Sequence, residues 1–431
     1  MRKKVLILCR DFPPYFYSVG GVSRMIYLSK YLVENNIEPS VISAKGFFIS
    51  NFGFEPVLES IRRVYVKDIW QLVKTKRSLH SSLNNNKNPK AKISLKSILI
   101  KLFAKIFGFL EKNILIDMGI LSFIPFFAAA CAEIKRGSRF IIVSVPPHSI
   151  LLSSLMLKLI FRSKIYLVLD YRDGWNTNII FRSENLIGRY IELRLERSVL
   201  HHSDQVFFAT EQMMNAVNSF AQISHKSAII LNGHPVEGEF DSEIIKKRCA
   251  KLNIGHFGYI SDDQKSYRYI VPLLDMILSS NLPIELHLYG NVSFKKSTLE
   301  KYSFVKIYPN VNADEMYKTM RNMDLLLVYH YLSDGAQEAI PGKLYEHIAV
   351  NIPSLVIGPS NYAARIFSEE NEIGYTAAIE REDQVQEVLK LANLDKMQER
   401  EWDISKRLSK KYSRAKQYET ILNLINQYYA K

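Results

Sequence analysis

The sequence is poor in the residues that build crosslinks and metal sites. Its 431 residues include three cysteines, Cys9, Cys131 and Cys249. They are widely spaced, show no CxxC spacing and are odd in number, which argues against a disulfide framework and fits a reducing cytosol. No His/Cys/Asp/Glu cluster has metal-ligand spacing, so no metal is expected. A GxGxxG turn is missing, so a nicotinamide is not indicated and no resident cofactor is expected. A cleavable leader is not expected either. MRKKVLILCRDFPPY starts basic, but its short apolar run meets Arg10 and Asp11 without a small-residue cleavage site, and it reads as a first strand. There are no internal repeats beyond an αβ rhythm.

What the chain does have is apolar content and positive charge. It is 47% hydrophobic, and its length suits two domains. The net charge of +14 is uneven. Residues 60–136 carry fifteen Lys/Arg against four Asp/Glu, so most of the excess belongs to one insertion. That composition suits a negatively charged partner, nucleic acid or anionic lipid. No nucleic-acid motif and no aromatic-basic sheet accompany it, so nucleic acid is not expected as a partner. Within the insertion, ILIKLFAKIFGFLEK (98–112) reads as a helix on which Lys101, Lys105 and Lys112 fall within roughly 40° of one another. A narrow basic stripe on an apolar helix suits the plane of an anionic bilayer; the alternative is a helix buried in the domain with its lysines in solvent. Ile114–Ala132 is read as a packed helix, since Asp117, Gly119 and Pro125 count against a membrane span.

Along the chain, KKVLILC is an apolar run that suits a central parallel strand. The loop RDFPPYFYSVGG follows, with Gly20 and Gly21 opening a helix from about Val22 to Glu34, then strand EPSVISA. Strand, glycine turn, helix, strand opens a doubly wound α/β domain. Phe47 to Lys92 is read as irregular. FIIVSVPPHSILL and KIYLVLDYRDGWN are strands ending in polar turns, where α/β domains place ligands. His148, Asp170, Arg172 and Asp173 are the candidates there. After a polar linker at 235–247 the strand–helix rhythm restarts at LNIGHFGYI. The expected division is 1–236, with the basic insertion at 60–136, then 248–410, then a C-terminal helix at 411–431 that crosses back to the first domain.

The stretch DGAQEAIPGKLYEHIAVNIPSLVIGP (334–359) holds two carboxylates, Glu338 and Glu346, with seven residues between them. Pro341 to Val350 reads as a helix, with Leu344, Ile348 and Ala349 facing a core and Pro341 at the first helical position. Asn351 and Pro353 end it, and SLVIG reads as a buried strand. The expected cap positions, Ala339 and Ile340, have no side chain that accepts a hydrogen bond. Free backbone N–H groups, a positive dipole end and the bare Gly342 make a phosphate seat, and Lys343 adds charge. Glu346, one turn beyond Gly342, can reach ribose hydroxyls.

The E-x7-E spacing with its P-G-K-L-Y-E run resembles the donor motif of GT-B glycosyltransferases, specifically the large retaining family called family 4. VSVPPHS and D-x-R-D-x-W resemble members that build bacterial surface polysaccharides. The resemblance implies two Rossmann-like doubly wound parallel-sheet domains with a cleft between them. It implies a hexosyltransferase-like enzyme that moves a sugar from a nucleotide-sugar donor to a glycan or lipid-linked acceptor; the expected place is the cytoplasm, with the lysine stripe of 98–112 offering peripheral attachment to the inner face of the cell membrane. It further implies donor contacts from Gly21, Gly258, Lys265, Gly290, Ile340, Pro341, Gly342, Lys343 and Glu346. Glu338 is expected to hold the donor sugar and Asp173 to orient the acceptor, with His148, Asp170 and Arg172 on the acceptor side. The family's loop arginine is replaced here by Tyr259, and its histidine after the DYRDGWN strand by Arg172 and Asp173. A nucleotide-sugar epimerase of the same fold, and a non-catalytic partner subunit, are the alternatives to a transferase.

Overall fold

The computed structural model describes residues 3–16, 19–46, 58–67, 122–235, 250–264, 266, 268–311, 313–331 and 336–430. The chain divides into two compact units, Met1–Ile230 with Thr420–Lys431, and Leu231–Glu419. Most of the basic insertion, including 98–112, lies outside the described residues, as does Lys265.

In the first unit the order is β1 (Lys3–Leu8), α1 (Val19–Glu34), β2 (Ile37–Lys45), β3 (Arg62–Lys67), α2 (Phe123–Lys135), β4 (Phe140–Val145), α3 (Ile150–Phe161), β5 (Tyr166–Tyr171), α4 (Leu186–His202), β6 (Gln205–Phe208), α5 (Glu211–Ala221) and β7 (Ser227–Ile229). The strands form one parallel sheet in the order β3-β2-β1-β4-β5-β6-β7. Val5 to Leu8 are fully buried, which is why β1 reads as an unbroken apolar run. Strand order reverses between β1 and β4, the switch point beyond whose carboxyl ends doubly wound sheets bind ligands.

Two sequence expectations change here. Residues 62–67, read as irregular, are an edge strand paired with β2. RRVYVK buries little: Arg63 and Lys67 face solvent, as edge strands require, and Arg62 pairs with the buried Glu133 at 3.1 Å. Helix α1 starts at Val19, so Gly20 and Gly21 lie in its first turn rather than in a loop ahead of it.

The second unit runs β8 (Leu252–Phe257), β9 (Ile260–Ser261), α6 (Val271–Ser280), β10 (Ile284–Tyr289), β11 (Val292–Ser293), α7 (Lys296–Lys301), β12 (Val305–Tyr308), α8 (Ala313–Arg321), β13 (Leu325–Tyr329), α9 (Gly342–Val350), β14 (Ser354–Gly358), α10 (Ala363–Glu370), β15 (Gly374–Ala378), α11 (Glu382–Met397) and α12 (Ile404–Leu408). Its six-stranded parallel sheet has the order β12-β10-β8-β13-β14-β15, so the reversal falls between β8 and β13. The final helix α13 (Arg414–Ala430) belongs to the second unit up to Glu419 and to the first from Thr420. In the first unit Tyr428 packs its ring 5.7 Å from Phe140 and 5.4 Å from Tyr166. Among the described residues no helix is long and apolar enough to cross a membrane, and no side-chain group could hold a metal ion.

Candidate functional site

In the second unit the polar groups gather where β8 and β13 end. Helix α9 opens there. Its cap is Pro341, with φ −60° and ψ 139°, and Gly342 is its first helical residue. The sequence placed both one residue earlier. Proline's fixed φ suits either position, and the extended ψ makes it the cap. Pro341 offers no side-chain acceptor, so the first turn has no side-chain cap. A Cβ on Gly342 would meet nothing within 4 Å. The helix start is therefore open beside its backbone, as an anion seat requires. The expectation for Ile340 is narrowed: its side chain is 5% exposed and packs with Leu344 and Ile348 in the core, leaving only its backbone for a ligand.

Lys343 lies along this opening. Its Nζ donates to the carbonyl oxygen of Phe257 at 2.9 Å and stands 3.5 Å from His256 Nε2. His256 Nδ1 donates to the Leu327 carbonyl at 3.0 Å, which leaves Nε2 as the acceptor facing the lysine. Burial pushes the Lys343 ammonium down to about 7, the nearby Arg268 adds to the effect, and Glu346 opposes it. Arg268 donates to the carbonyl of Tyr329, the last residue of β13. Each of the two strands at the reversal thus ends against a cation, β8 at Lys343 and β13 at Arg268. Burial, with Arg268, also holds His330 down at about 4, so its imidazole is neutral at pH 7.

Gly258 follows β8 with φ +131° and Gly290 follows β10 with φ +120°, a region only glycine enters freely. Gly258 N–H donates to the Tyr289 carbonyl at 2.8 Å. A Cβ on Gly290 would stand 3.1 Å from the Gly258 oxygen, and one on Gly258 3.3 Å from Lys343 Nζ. Gly258, Gly290 and Lys343 therefore form one contiguous surface. Beside it Phe257, Tyr289 and Tyr308 stack, with centroids 4.7 and 4.6 Å apart. Glu346 is half-buried. Burial raises its carboxyl, while Arg414 and Lys343 pull it down. Glu338 is also half-buried, at the end of the short 3-10 turn Ala336–Glu338. Tyr259 stands 40% exposed.

In the first unit the expected acceptor-side residues divide by partner. Asp170 is 1% exposed and bound by Arg24, with Nη2 at 2.7 Å and Nε at 3.0 and 3.1 Å, and by Ser144 Oγ at 3.0 Å. It is an interior ion pair, not a surface for an acceptor. His148 is 2% exposed, stacks on Trp175 at 5.4 Å and donates from Nε2 to the Asp173 carbonyl at 3.2 Å. Burial lowers it to about 3, so it is a neutral brace inside the turn rather than an exposed contact. Arg172 is likewise spent on backbone: it donates to the carbonyls of Val145 at 3.2 Å, Pro146 at 2.7 Å and Gly21. Gly21 is thereby drawn to this turn through its oxygen. Asp173 differs from the other three. No described donor binds its carboxylate; burial raises its pKa and Arg172 opposes the rise.

Arg24 and Glu196 are structural residues that sequence reading missed. Arg24 sits on an otherwise apolar face of α1, and that solitary charge was the available signal. Glu196 accepts from Asn176 Nδ2 at 2.7 Å and Asn176 N at 3.3 Å, and burial raises it to about 7.

No family model matches this sequence, and no curated protein matches it. Solved structures do match its shape. The fold is GT-B. Sucrose-phosphate synthase from Thermosynechococcus elongatus aligns over 100% of both chains at TM-score 0.64 and 12% identity. The lipopolysaccharide outer core galactosyltransferase WaaB aligns over 98% of this chain and 99% of its own, at TM-score 0.62 and 10% identity. Anabaena HepE, solved with UDP and glucose, aligns over 99% and 100% at TM-score 0.58 and 13% identity. MnaA of S. aureus, solved with UDP, aligns over 99% and 97% at TM-score 0.51 and 14% identity.

Proposed function

We propose that this chain is a retaining GT-B glycosyltransferase that moves a sugar from a nucleoside diphosphate sugar to a glycan or lipid-linked acceptor in surface polysaccharide synthesis. The observation that carries the reading is the open, uncapped start of α9 at Gly342, with Lys343 and Arg268 at the ends of the two strands where the sheet order reverses. A nucleoside diphosphate is already a stable anion, so the reaction asks mainly for charge stabilisation. Preformed N–H groups and two cations supply it as the bond to the sugar breaks. In this reading Glu346 accepts from the ribose hydroxyls and Glu338 from the donor sugar. Asp173, whose carboxylate is engaged by no described donor, orients the acceptor hydroxyl, and the departing phosphate receives its proton.

UDP sugars head the list of donors to test, because HepE and MnaA are described with UDP. The similarity to MnaA also favours a second reading, an epimerase that would use the same donor seat without an acceptor. Calorimetric titration with a panel of nucleoside diphosphate sugars, followed by product analysis with and without a lipid-linked glycan, tests both. Transfer to the glycan is expected. Interconversion of the donor sugar without acceptor would favour the epimerase, and no binding of any nucleoside diphosphate would overturn the donor site itself.

A further inference from the structure

Helix α4 is built inside out over its first three turns, Leu186 to Glu196. A helix on a globular surface turns its charges to water and its apolar residues inward. Here Glu192 and Glu196 are 2% and 0% exposed, whereas Leu186, Ile187, Tyr190 and Ile191 are 82%, 74%, 59% and 39% exposed. The inward carboxylates have identifiable work. Glu192 accepts from Ser183 N at 2.8 Å and Ser183 Oγ at 2.6 Å, and Glu196 from Asn176. They fasten the loop before α4 onto the helix, and Gly188 lets it close: a Cβ there would come 2.8 Å from that of Ser183. The fastened loop also carries Ile179 and Ile180, 42% and 52% exposed.

The outward side chains are neighbours. Leu186 and Tyr190, Ile187 and Ile191, and Tyr190 and Arg194 are each four residues apart, one helical turn. Arg194 stands over the Tyr190 ring at 5.2 Å. With the two glutamates turned in, the exposed charges on this part of α4 are Arg189 and Arg194, and the nearest exposed acid is Glu184 in the loop. Contiguous exposed apolar area on this scale marks an interaction surface.

We propose that the start of α4 and the loop before it seat on the surface of a bilayer containing anionic phospholipid. Three observations choose a bilayer over a protein partner. Leu186 and Ile187 protrude almost fully, which suits a fluid medium that closes around them without a matching pocket. The charges set among the apolar groups are arginines, complementary to phosphate headgroups. Tyrosine and arginine both carry an apolar body and a polar tip, the arrangement that sits at a headgroup boundary. The inference goes beyond the sugar-transfer reading and does not rest on it.

Flotation with vesicles of phosphatidylcholine alone, and of phosphatidylcholine mixed with phosphatidylglycerol, tests this on the full chain. The variants are Leu186→Ser/Ile187→Ser/Ile191→Ser and Arg189→Ser/Arg194→Ser, with thermal denaturation and size-exclusion chromatography run alongside. The exposed positions predict unchanged unfolding. Expected are binding of the unaltered chain to the anionic vesicles, at least tenfold weaker binding for each variant, and loss of binding at high salt. Three results would each overturn the proposal. One is no flotation of the unaltered chain. Another is unchanged flotation of both variants, including the case in which replacing Lys101, Lys105 and Lys112 abolishes it. The last is a self-associated chain that the apolar variant turns into a monomer, which would make a second copy the occupant.

Discussion

Lys343 Nζ lies 2.9 Å from the carbonyl oxygen of Phe257, so a side chain from the first turn of α9 closes over the end of β8. The contact places a cation, lowered to about 7 by burial, beside the open helix start. Replacing Lys343 with Met should weaken binding of a nucleoside diphosphate by roughly 1.5–3 kcal/mol, tenfold or more, because a hydrogen bond to a charged group is lost. Isothermal titration of the two proteins measures it, and equal affinities would remove Lys343 from the seat.

The same lysine links binding and stability to pH with opposite signs. Its folded pKa lies below its unfolded value, so between about 7 and the ordinary lysine range the unfolded chain holds more protons. The contribution of Lys343 to stability therefore rises with pH across that window, while nucleotide affinity falls as the ammonium is lost. Lys343→Arg stays charged and should flatten the affinity profile. Titrations from pH 6 to about 9 on both proteins check this; parallel profiles would contradict it.

Gly342 separates binding from folding. A side chain there meets no atom within 4 Å, so Gly342→Val should leave the unfolding temperature near its original value. The valine would occupy the place of the phosphate and reduce diphosphate affinity about tenfold or more, because a charge-assisted contact is lost. Calorimetric titration beside a melting curve reads both quantities. A folded variant with full affinity would place the phosphate elsewhere.

The two glutamates should fail differently. Glu346→Gln should weaken binding of the bare nucleotide by roughly 1.5–3 kcal/mol, since the ribose loses a charged acceptor. Glu338→Gln should spare the bare nucleotide and lower turnover. Nucleotide affinity and steady-state rates on both variants decide the matter, and equal losses of nucleotide affinity would mean the roles are not divided.

Asp170 and Asp173, three residues apart, should also give opposite phenotypes. The Arg24–Asp170 pair has side chains 3% and 2% exposed, so Asp170→Leu takes the countercharge from a buried guanidinium. That should cost about 3–5 kcal/mol, and pairing it with Arg24→Met should restore much of the loss. Asp173→Asn should fold normally and lose transfer activity. Urea unfolding and rate measurements on the three variants separate the cases; a stable, inactive Asp170→Leu would reverse the assignment.

The residues explain which parts of this molecule could be read without its structure. Val5–Leu8 and Leu325–Tyr329 are buried on both faces of parallel sheets, and their unbroken apolar runs carry that burial openly. The start of α9 is legible for a similar reason: its glycine, proline and missing cap are consecutive in the chain. Edge strand β3 gives no such signal, because RRVYVK buries too little to show alternation. The polar strand ends were the harder case. Asp170 looks like a site residue from its position, and what makes it structural is Arg24, 146 residues away. Lys343 similarly depends on Phe257, 86 residues away, for its place, and on burial and Arg268 for its lowered pKa. Local pattern shows where a polar residue falls, whereas its partner decides what it does.

The hydrogen bonds of Arg172 have a consequence for how this chain can vary. All three acceptors, at Gly21, Val145 and Pro146, are peptide oxygens. Every residue type supplies that oxygen, so exchange of side chains at those three positions removes no acceptor. The donor has no such redundancy. Even lysine would replace a planar fork of five N–H groups with a single point charge. Three segments of the first unit are thus joined through a vulnerability that sits in one codon: drift around it keeps all three acceptors, and a change in it loosens the first turn of α1 and the ends of β4 and β5 together.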